Sequence, residues 1–83
     1  MIHDLKTWPE PFQAIRDGLK QFEYRKDDRG FEVGHQLLLI EFDPERGRLT
    51  GRALMARVTY IARGRFGIPR GFCVMSIRVE KLL

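Results

Sequence analysis

The alternation of apolar and polar residues along the chain predicts five short strands. Residues 2–6 and 21–26 alternate as half-buried strands do. Residues 36–42 are apolar at nearly every position, which predicts a central strand covered on both faces. Two further alternating segments, 53–61 and 72–79, predict the last strands. Turns rich in glycine, proline and aspartate separate most of these segments, so the pattern indicates a small sheet.

One helix is predicted between the first two strands. Its apolar residues recur at i, i+4, i+7 and i+11 and form one stripe: Trp8, Phe12, Ile15 and Leu19. Thr7 and Glu10 have the spacing of a capping box, with Thr7 as the N-cap. Gly18 is suited to end the helix in a left-handed conformation. We expect the stripe to pack on the sheet, with Trp8 in the core.

These elements predict one α+β domain over residues 1–83. Small sheets commonly close into barrels because closure removes unpaired strand edges, so a compact barrel of about five strands with one N-terminal helix is expected. No apolar run reaches the roughly 20 residues that a membrane helix needs, and no secretory signal opens the chain. The single cysteine excludes an internal disulfide. A soluble, cytoplasmic protein without membrane contact is the expectation.

The charge of the chain favours an anionic partner. Its net charge is +4, and eleven of the fifteen basic residues are arginine, whose planar fork binds phosphate and stacks on bases. The segment 63–71, too rich in glycine for regular structure, places Arg63, Arg65 and Arg70 around Phe66. This loop is a candidate nucleic-acid contact. The alternative is a solvated loop whose Phe66 packs back onto the barrel.

One segment, Gly18 to Arg25, concentrates candidate binding residues in the pattern Gly-x-Lys-x-x-Glu-x-Arg. Strand alternation places Glu23 and Arg25 on one face, opposite Phe22 and Tyr24. Strict alternation would send Lys20 to the Phe22 side, whereas a strand that begins only at Gln21 leaves it free to turn toward Glu23. Without further information, a surface ion-pair cluster is the simpler interpretation, because charge alternation on a strand is ordinary.

The segment resembles the signature of the ASCH domain family, small β-barrels related to the PUA RNA-binding fold. Other segments, in the same order along the chain, are similar to the DUF3850 group of these proteins: His3 to Lys6, Asp28-Arg29, Phe31 to Gly34, Glu41, Thr50 to Arg52, Val58 to Ile61 and Val74 to Ile77. The resemblance implies a PUA-like barrel with a cleft lined by the motif. Two positions depart from it, since His35 and Asp27 stand where the family usually carries Asp and Asn.

The resemblance favours a module that binds RNA or a modified nucleotide, without a cofactor. Lys20, Arg25 and Arg29 would attract phosphates, and Glu23 could accept hydrogen bonds from a base or ribose. The alternative is a small amidohydrolase acting on an acylated, N4-acetylcytidine-like nucleoside through Lys20 and Glu23. Relatives with that activity carry a hydroxyl residue at the position of Glu23. A third possibility is an accessory protein of a mobile element that uses the barrel as a scaffold.

The remaining candidates have structural interpretations. The two histidines and the one cysteine lie at no metal-ligand spacing, so no metal is expected. His3 is expected to be a structural strand residue, and Cys73 an inert core thiol. Glu41 lies in an apolar strand and is either a second acid of a catalytic site or, more simply, a buried partner of Arg52 or Arg57.

Overall fold

Five strands and one short helix form the fold, in a computed structural model that describes all residues 1–83. The elements are β1 (Ile2–Thr7), α1 (Pro9–Arg16), β2 (Phe22–Lys26), β3 (Gln36–Asp43), β4 (Arg48–Ala62) and β5 (Phe72–Leu82). The number and order of the predicted elements are confirmed. Strands β4 and β5 extend beyond the predicted segments, because Arg48 and Leu49 still pair with the end of β3 and Lys81 and Leu82 pair with the middle of β4.

The strands form one sheet in the order β1-β3-β4-β5-β2, curled into a half-barrel. Strand β1 runs parallel to β3, and all other neighbours are antiparallel. The predicted closure is therefore incomplete, since no backbone ladder joins the edge strands β1 and β2. Two arginine side chains contact β1 instead, one from β2 and one from the turn that follows β2. Arg25 donates to the carbonyl oxygen of Lys6 at 2.9 Å, and Arg29 donates to that of Asp4 at 3.0 Å. These bonds satisfy carbonyl groups that an edge strand leaves unpaired.

The core lies on the concave face of the sheet, where α1 packs against β3 and β5. Twelve apolar side chains are buried there: Leu5, Phe12, Ile15, Phe31, Leu37, Leu39, Leu54, Ala56, Val58, Cys73, Met75 and Ile77. Burial raises the pKa of the Cys73 thiol, which agrees with its prediction as a core residue. Strand β3 contributes only one fully buried face, because Leu38 and Ile40 are half-buried. The prediction that both faces of this strand are covered was wrong.

Helix α1 is shorter than its apolar stripe suggested. Phe12 and Ile15 are buried, but Trp8 is 61% exposed and Leu19 is also exposed, so both predicted core positions were wrong. The helix ends at Arg16, and Gly18 then adopts φ +78°, as predicted. Helical periodicity no longer applies beyond that glycine. Two turns of helix are enough to bury only the middle of the stripe.

The N-terminus of α1 also differs from the prediction. Thr7 is the last residue of β1, and Trp8 occupies the N-cap position without a side-chain capping bond. The Thr7 hydroxyl instead accepts a hydrogen bond from Arg25 at 3.3 Å. Pro9 at the start of the helix fits that position, because the first turn has no internal partner for its backbone nitrogen.

A β-bulge in β4 reverses which side chains face outward. Val58 pairs with Ile77 and Tyr60 pairs with Ser76, which leaves Thr59 as the extra residue. Beyond the bulge, Ile61 packs against the core and Tyr60 is exposed. The prediction that Tyr60 shares a face with Val58 was therefore wrong.

The buried carboxylate of Glu41 anchors the other end of β4. It accepts two hydrogen bonds from Arg52, at 2.8 and 3.0 Å, and one from the Thr50 hydroxyl at 2.5 Å. The hydrogen bonds from Arg52 hold the pKa of Glu41 below its ordinary value. The predicted pairing with Arg52 is confirmed, whereas Arg57 pairs with Glu80.

Glu41→Gln should lower the free energy of unfolding by roughly 1–2 kcal/mol, because it removes a charged hydrogen-bond acceptor from a buried position. Since the pKa of Glu41 is lowered in the folded state, its contribution is complete above the ordinary carboxyl pKa and is lost as the pH falls through the lowered value. The free energies of unfolding of the wild type and Glu41→Gln, measured by urea denaturation, should therefore differ less at about pH 3 than at about pH 7. Glu45→Gln, an exposed turn substitution, is the control; an equal effect of both would contradict this account.

His3 has the structural role predicted for it. Its ring is buried, meets the ring of Phe31 edge-on, and hydrogen-bonds that of His35 through Nε2 and Nδ1, which lie 3.0 Å apart. His35, one of the two departures from the family pattern, thus faces His3. Burial lowers the pKa of His3, and the neighbouring His35 lowers it further.

Stability should fall in mild acid because of His3. Its pKa is below 6.5 in the folded protein, so the neutral ring stabilises the fold above pH 6.5 and this contribution is lost as the pH falls through the lowered pKa. In urea denaturation, the free energy of unfolding should decline between about pH 7 and pH 5 for the wild type, and should decline less for His3→Gln. Identical pH profiles for the two proteins would contradict this assignment.

Candidate functional site

A buried carboxylate, Glu23, organises the motif segment. It lies opposite the fully buried Met75 in the β2–β5 ladder and is only 3% exposed. Its two oxygens accept from Lys20 Nζ at 3.2 Å and from Arg25 Nε at 2.7 Å. A buried carboxylate needs such partners because it has lost its hydration. Lys20 contacts Glu23, which was one of the two orientations that the sequence left open, and the cluster is not a simple surface ion pair, because Glu23 is inside.

Lys20 is held in one position by several contacts. Its ammonium group also donates to the carbonyl oxygen of Phe22 at 2.6 Å and lies 4.6 Å from the centre of the Phe22 ring. The side chain remains about one quarter exposed. Lys20 thus presents a fixed positive charge at the protein surface, with Glu23 behind it.

The exposed side of Lys20 lines a cleft of about 470 Å³ between the end of α1 and strands β4 and β5. Arg16 and Arg78 add two further cations, and no carboxylate lines the cleft. Gln21 and Thr59 add groups that can donate and accept hydrogen bonds. The full lining is Ile15, Arg16, Gly18, Lys20, Gln21, Thr59, Ile77, Arg78 and Val79. Lys20 shares its charge with Glu23 and Arg78 lies 3.8 Å from a Glu80 oxygen, but both carboxylates lie outside the lining, so the cleft itself presents cations to an anion.

Sequence reasoning did not find Arg16, Thr59 or Arg78. Arg16 lies at the end of α1 and Arg78 on β5, and only the folded chain brings them to Lys20. Thr59 reaches the cleft because it is the extra residue of the bulge, and no local pattern marked that position. Its hydroxyl donates to the carbonyl oxygen of Ser76 at 3.2 Å.

Arg25 and Arg29 face a second depression, of about 450 Å³, on the other side of Glu23. Asp4, Lys6 and Ile40 also line it. Both guanidinium groups donate to backbone carbonyl oxygens of β1 at this place. The four candidate ligand-binding residues are therefore divided. Lys20 lies in one cleft, Arg25 and Arg29 line the other, and the carboxylate of Glu23 separates them.

The predicted basic loop contains one structural arginine. Arg63 donates to Asp27 at 2.5 Å and to the carbonyl oxygen of Phe31 at 2.7 Å. The hydrogen bond from Arg63 to Asp27 raises the pKa of Arg63. Asp27, the second departure from the family pattern, thereby supplies a charged partner that the usual asparagine would not.

The rest of this loop is open to solvent. Arg65 and Arg70 are exposed, and neither forms an ion pair. Phe66 is 81% exposed and adopts φ +57°, a conformation rare outside glycine, with the Arg65 guanidinium carbon 5.7 Å from its ring centre. The alternative that Phe66 packs back onto the barrel was therefore wrong.

The loop lies at the opposite end of β2 from Lys20. Its last residue, Gly71, accepts a backbone hydrogen bond from Asp27, and the next residue, Phe72, pairs with Lys26. Lys20 precedes the first residue of the same strand. Five residues of strand therefore separate the two groups of candidate residues, or roughly 16 Å at the usual rise per residue.

The chain matches the model of the domain of unknown function DUF3850 over residues 2–77. The chain belongs to this family. It is also 40% identical over 58 residues to the uncharacterized 12.9 kDa protein in the GpA 3′ region of Escherichia phage P2, an alignment that covers 70% of this chain. The chain spans about half the length of that relative, since 51% of it is covered.

Two further features bear on the chemistry of this DUF3850 protein. No three side chains of His, Cys, Asp or Glu come together in an arrangement that could hold a metal ion. None of its helices is long and apolar enough to cross a membrane.

The contact between Glu23 and Arg25 should show a measurable coupling in a double-mutant cycle. With Glu23→Gln and Arg25→Met, we expect an interaction free energy of roughly 1–3 kcal/mol, because one partner is buried and the hydrogen bond is short. The less buried and more widely separated pair of Asp43 and Arg46, 3.7 Å apart, is the control, with Asp43→Asn and Arg46→Met, and should give less than about 1 kcal/mol. Urea denaturation measures the free energy of unfolding of each variant. Equal coupling in both cycles would contradict the assigned role of Glu23.

Proposed function

We propose that this protein is a cytoplasmic ASCH/PUA-like module that binds RNA or a modified nucleotide, without a cofactor, in the cleft beside Lys20. One observation carries the proposal: three cations, Lys20, Arg16 and Arg78, line one cleft that contains no carboxylate. Phosphate groups are the natural ligands of such a cluster in a protein with net charge +4. Gln21 and Thr59 can hydrogen-bond a ribose or a base edge at the same place.

In this proposal Glu23 acts through Lys20. Both of its oxygens already accept hydrogen bonds from cations and its carboxylate is buried, so it fixes the ammonium group and does not meet the ligand directly. Arg25 and Arg29 face the second depression, where they can add phosphate contacts for a longer ligand. Such contacts contribute affinity without sequence specificity.

The hydrolase remains the second candidate, because one observation favours it. The Thr59 hydroxyl lies in the same cleft as Lys20, and the relatives with that activity carry a hydroxyl residue in the motif itself. In this alternative, Lys20 and Glu23 act on an acylated, N4-acetylcytidine-like nucleoside. Incubation with N4-acetylcytidine, followed by chromatographic detection of cytidine, tests it. Release by the wild type that is lost in both Lys20→Ala and Thr59→Val would support catalysis.

RNA binding should depend on Lys20 and Arg78. In fluorescence anisotropy with a labelled RNA, Lys20→Ala and Arg78→Ala should each weaken binding several-fold. Each should also reduce the slope of log affinity against log salt by about 1, because each removes one phosphate contact. Circular dichroism confirms that the variants are folded.

Lys81→Ala is the matched control, because Lys81 is exposed on β5 outside the cleft. It should leave both the affinity and the salt slope close to those of the wild type. Loss of binding in Lys81→Ala equal to that in Lys20→Ala would show that charge alone, and not the cleft, determines binding.

A further inference from the structure

The outer face of the sheet carries exposed aromatic rings next to the cleft. Phe22, Tyr24 and Tyr60 are between 46% and 56% exposed. Phe22 and Tyr60 both pair with Ser76, one from each side, so Phe22, Ser76 and Tyr60 lie in one row across β2, β5 and β4. Tyr24 lies two residues further along β2 on the same face and stacks on Phe72, with ring centres 5.4 Å apart.

This arrangement reverses the usual orientation of an amphipathic strand. In β2 the charged Glu23 and Arg25 face inward and the aromatic residues face water. In β4 the bulge at Thr59 turns Tyr60 outward in the same way. Large aromatic side chains usually lie inside, and a contiguous exposed group of them marks an interaction surface.

The charges around the rings indicate which partner fits. Lys20 lies over the Phe22 ring, Lys26 follows Tyr24 on the outer face, and Arg78 follows Ser76. The outward positions from Phe22 to Lys26 and from Phe72 to Ser76 include no carboxylate. A second copy of this chain would place the same cations against each other. Aromatic faces bordered by cations match a ligand that offers both flat rings and negative charge.

The outer face also connects the two groups of candidate residues. The cleft with Lys20 lies at one end of β2, and the loop with Arg65, Phe66 and Arg70 lies at the other. The aromatic rings occupy the roughly 16 Å between them. A flexible polyanion with unpaired bases can follow this path, whereas a mononucleotide can occupy only one end.

We propose that the outer face of β2, β5 and the Tyr60 end of β4 is a base-stacking platform for a single-stranded polynucleotide, whose phosphates contact Lys20 and Arg78 at one end and Arg65 and Arg70 at the other. Sheet platforms of this kind stack two or three bases on aromatic side chains. The inference rests on the proposed function of the cleft and extends it from a nucleotide to an unpaired strand. It also assigns a role to Phe66, which extends the platform at the loop.

The first test compares ligands with and without bases. A labelled eight-nucleotide oligouridylate is titrated beside an abasic oligonucleotide of the same length and charge, using fluorescence anisotropy. The platform predicts that the abasic strand binds more weakly by at least about tenfold, because each stacked base adds about 5- to 150-fold in affinity. An oligothymidylate of the same length shows whether the strand is RNA, DNA or either. A duplex of the same length should bind more weakly than the single strand.

The second test removes single rings. Phe22→Leu and Tyr24→Leu should each weaken oligouridylate binding about 5- to 150-fold without changing the salt slope, because they remove stacking but no phosphate contact. Phe22→Tyr keeps a ring and should bind like the wild type. Trp8→Leu is the matched control, since Trp8 is an equally exposed aromatic residue at the start of α1.

Tyrosine fluorescence tests directly whether a strand contacts the platform. The chain has two tyrosines, Tyr24 and Tyr60, and one tryptophan. In a Trp8→Phe protein all remaining tyrosine emission therefore comes from the platform. Oligouridylate should change this emission in a saturable way, and the abasic strand should leave it nearly unchanged.

The results separate the platform from the cleft. If Lys20→Ala weakens binding while both leucine variants and the tyrosine emission are unaffected, the platform is overturned and the cleft function stands. If no oligonucleotide binds, the platform is overturned together with RNA binding by the cleft, and the cleft function stands only for a single nucleotide. If Phe22→Leu instead dissociates a dimer of the wild type in sedimentation experiments, the face is a self-association surface and the platform is overturned.

Discussion

The arrangement of this fold depends on one buried carboxylate, that of Glu23. Because it is excluded from water, it requires cationic partners, and Lys20 and Arg25 supply them from opposite sides. That requirement determines the orientation of β2, with its charged residues inward and Phe22 and Tyr24 outward. The cleft, the bridging of the sheet edges and the exposed aromatic face all follow from this orientation.

The same contact links the site to the stability of the half-barrel. Arg25 hydrogen-bonds Glu23 on one side and the backbone of Lys6 on the other, so the edge strand β1 is attached to β2 through one guanidinium group. Arg29 repeats this bridge at Asp4. Arg25 and Arg29 therefore take the place of the backbone ladder that would close a full barrel. Lys20, which has no part in the bridge, is free to face the cleft.

Alternation and turn residues were sufficient to predict the elements, because each strand carries its own period of two. They did not predict which face of β2 lies inside, because that depends on the partner edge β1, which is distant in sequence. Tyr60 was misplaced because a single extra residue, Thr59, reverses the faces beyond it. Trp8 and Leu19 were misplaced because α1 ends at Arg16, which a stripe of four apolar residues does not show.

The candidate site was predictable where its residues are close in sequence. Lys20 and Glu23 are three residues apart, and their contact was one of two arrangements that the sequence left open. Arg16 and Arg78 were missed because they reach the cleft from α1 and β5. The role of Arg63 could not be read from a basic loop, because it depends on Asp27 and on the backbone of Phe31. Family resemblance indicated the candidate segment, and the structure shows how its residues are divided between two depressions.

The most direct test of this account is an NMR titration of the isotopically labelled protein with an eight-nucleotide oligouridylate. We expect saturable shifts of the Phe22, Tyr24 and Tyr60 ring signals together with the backbone signals of Lys20 and Arg78. The ring signals of Trp8, at the start of α1, should remain unchanged. Shifts confined to the Arg25 and Arg29 side of the protein, or no saturable shift at all, would contradict the central claim that the inverted strand β2 forms the binding surface.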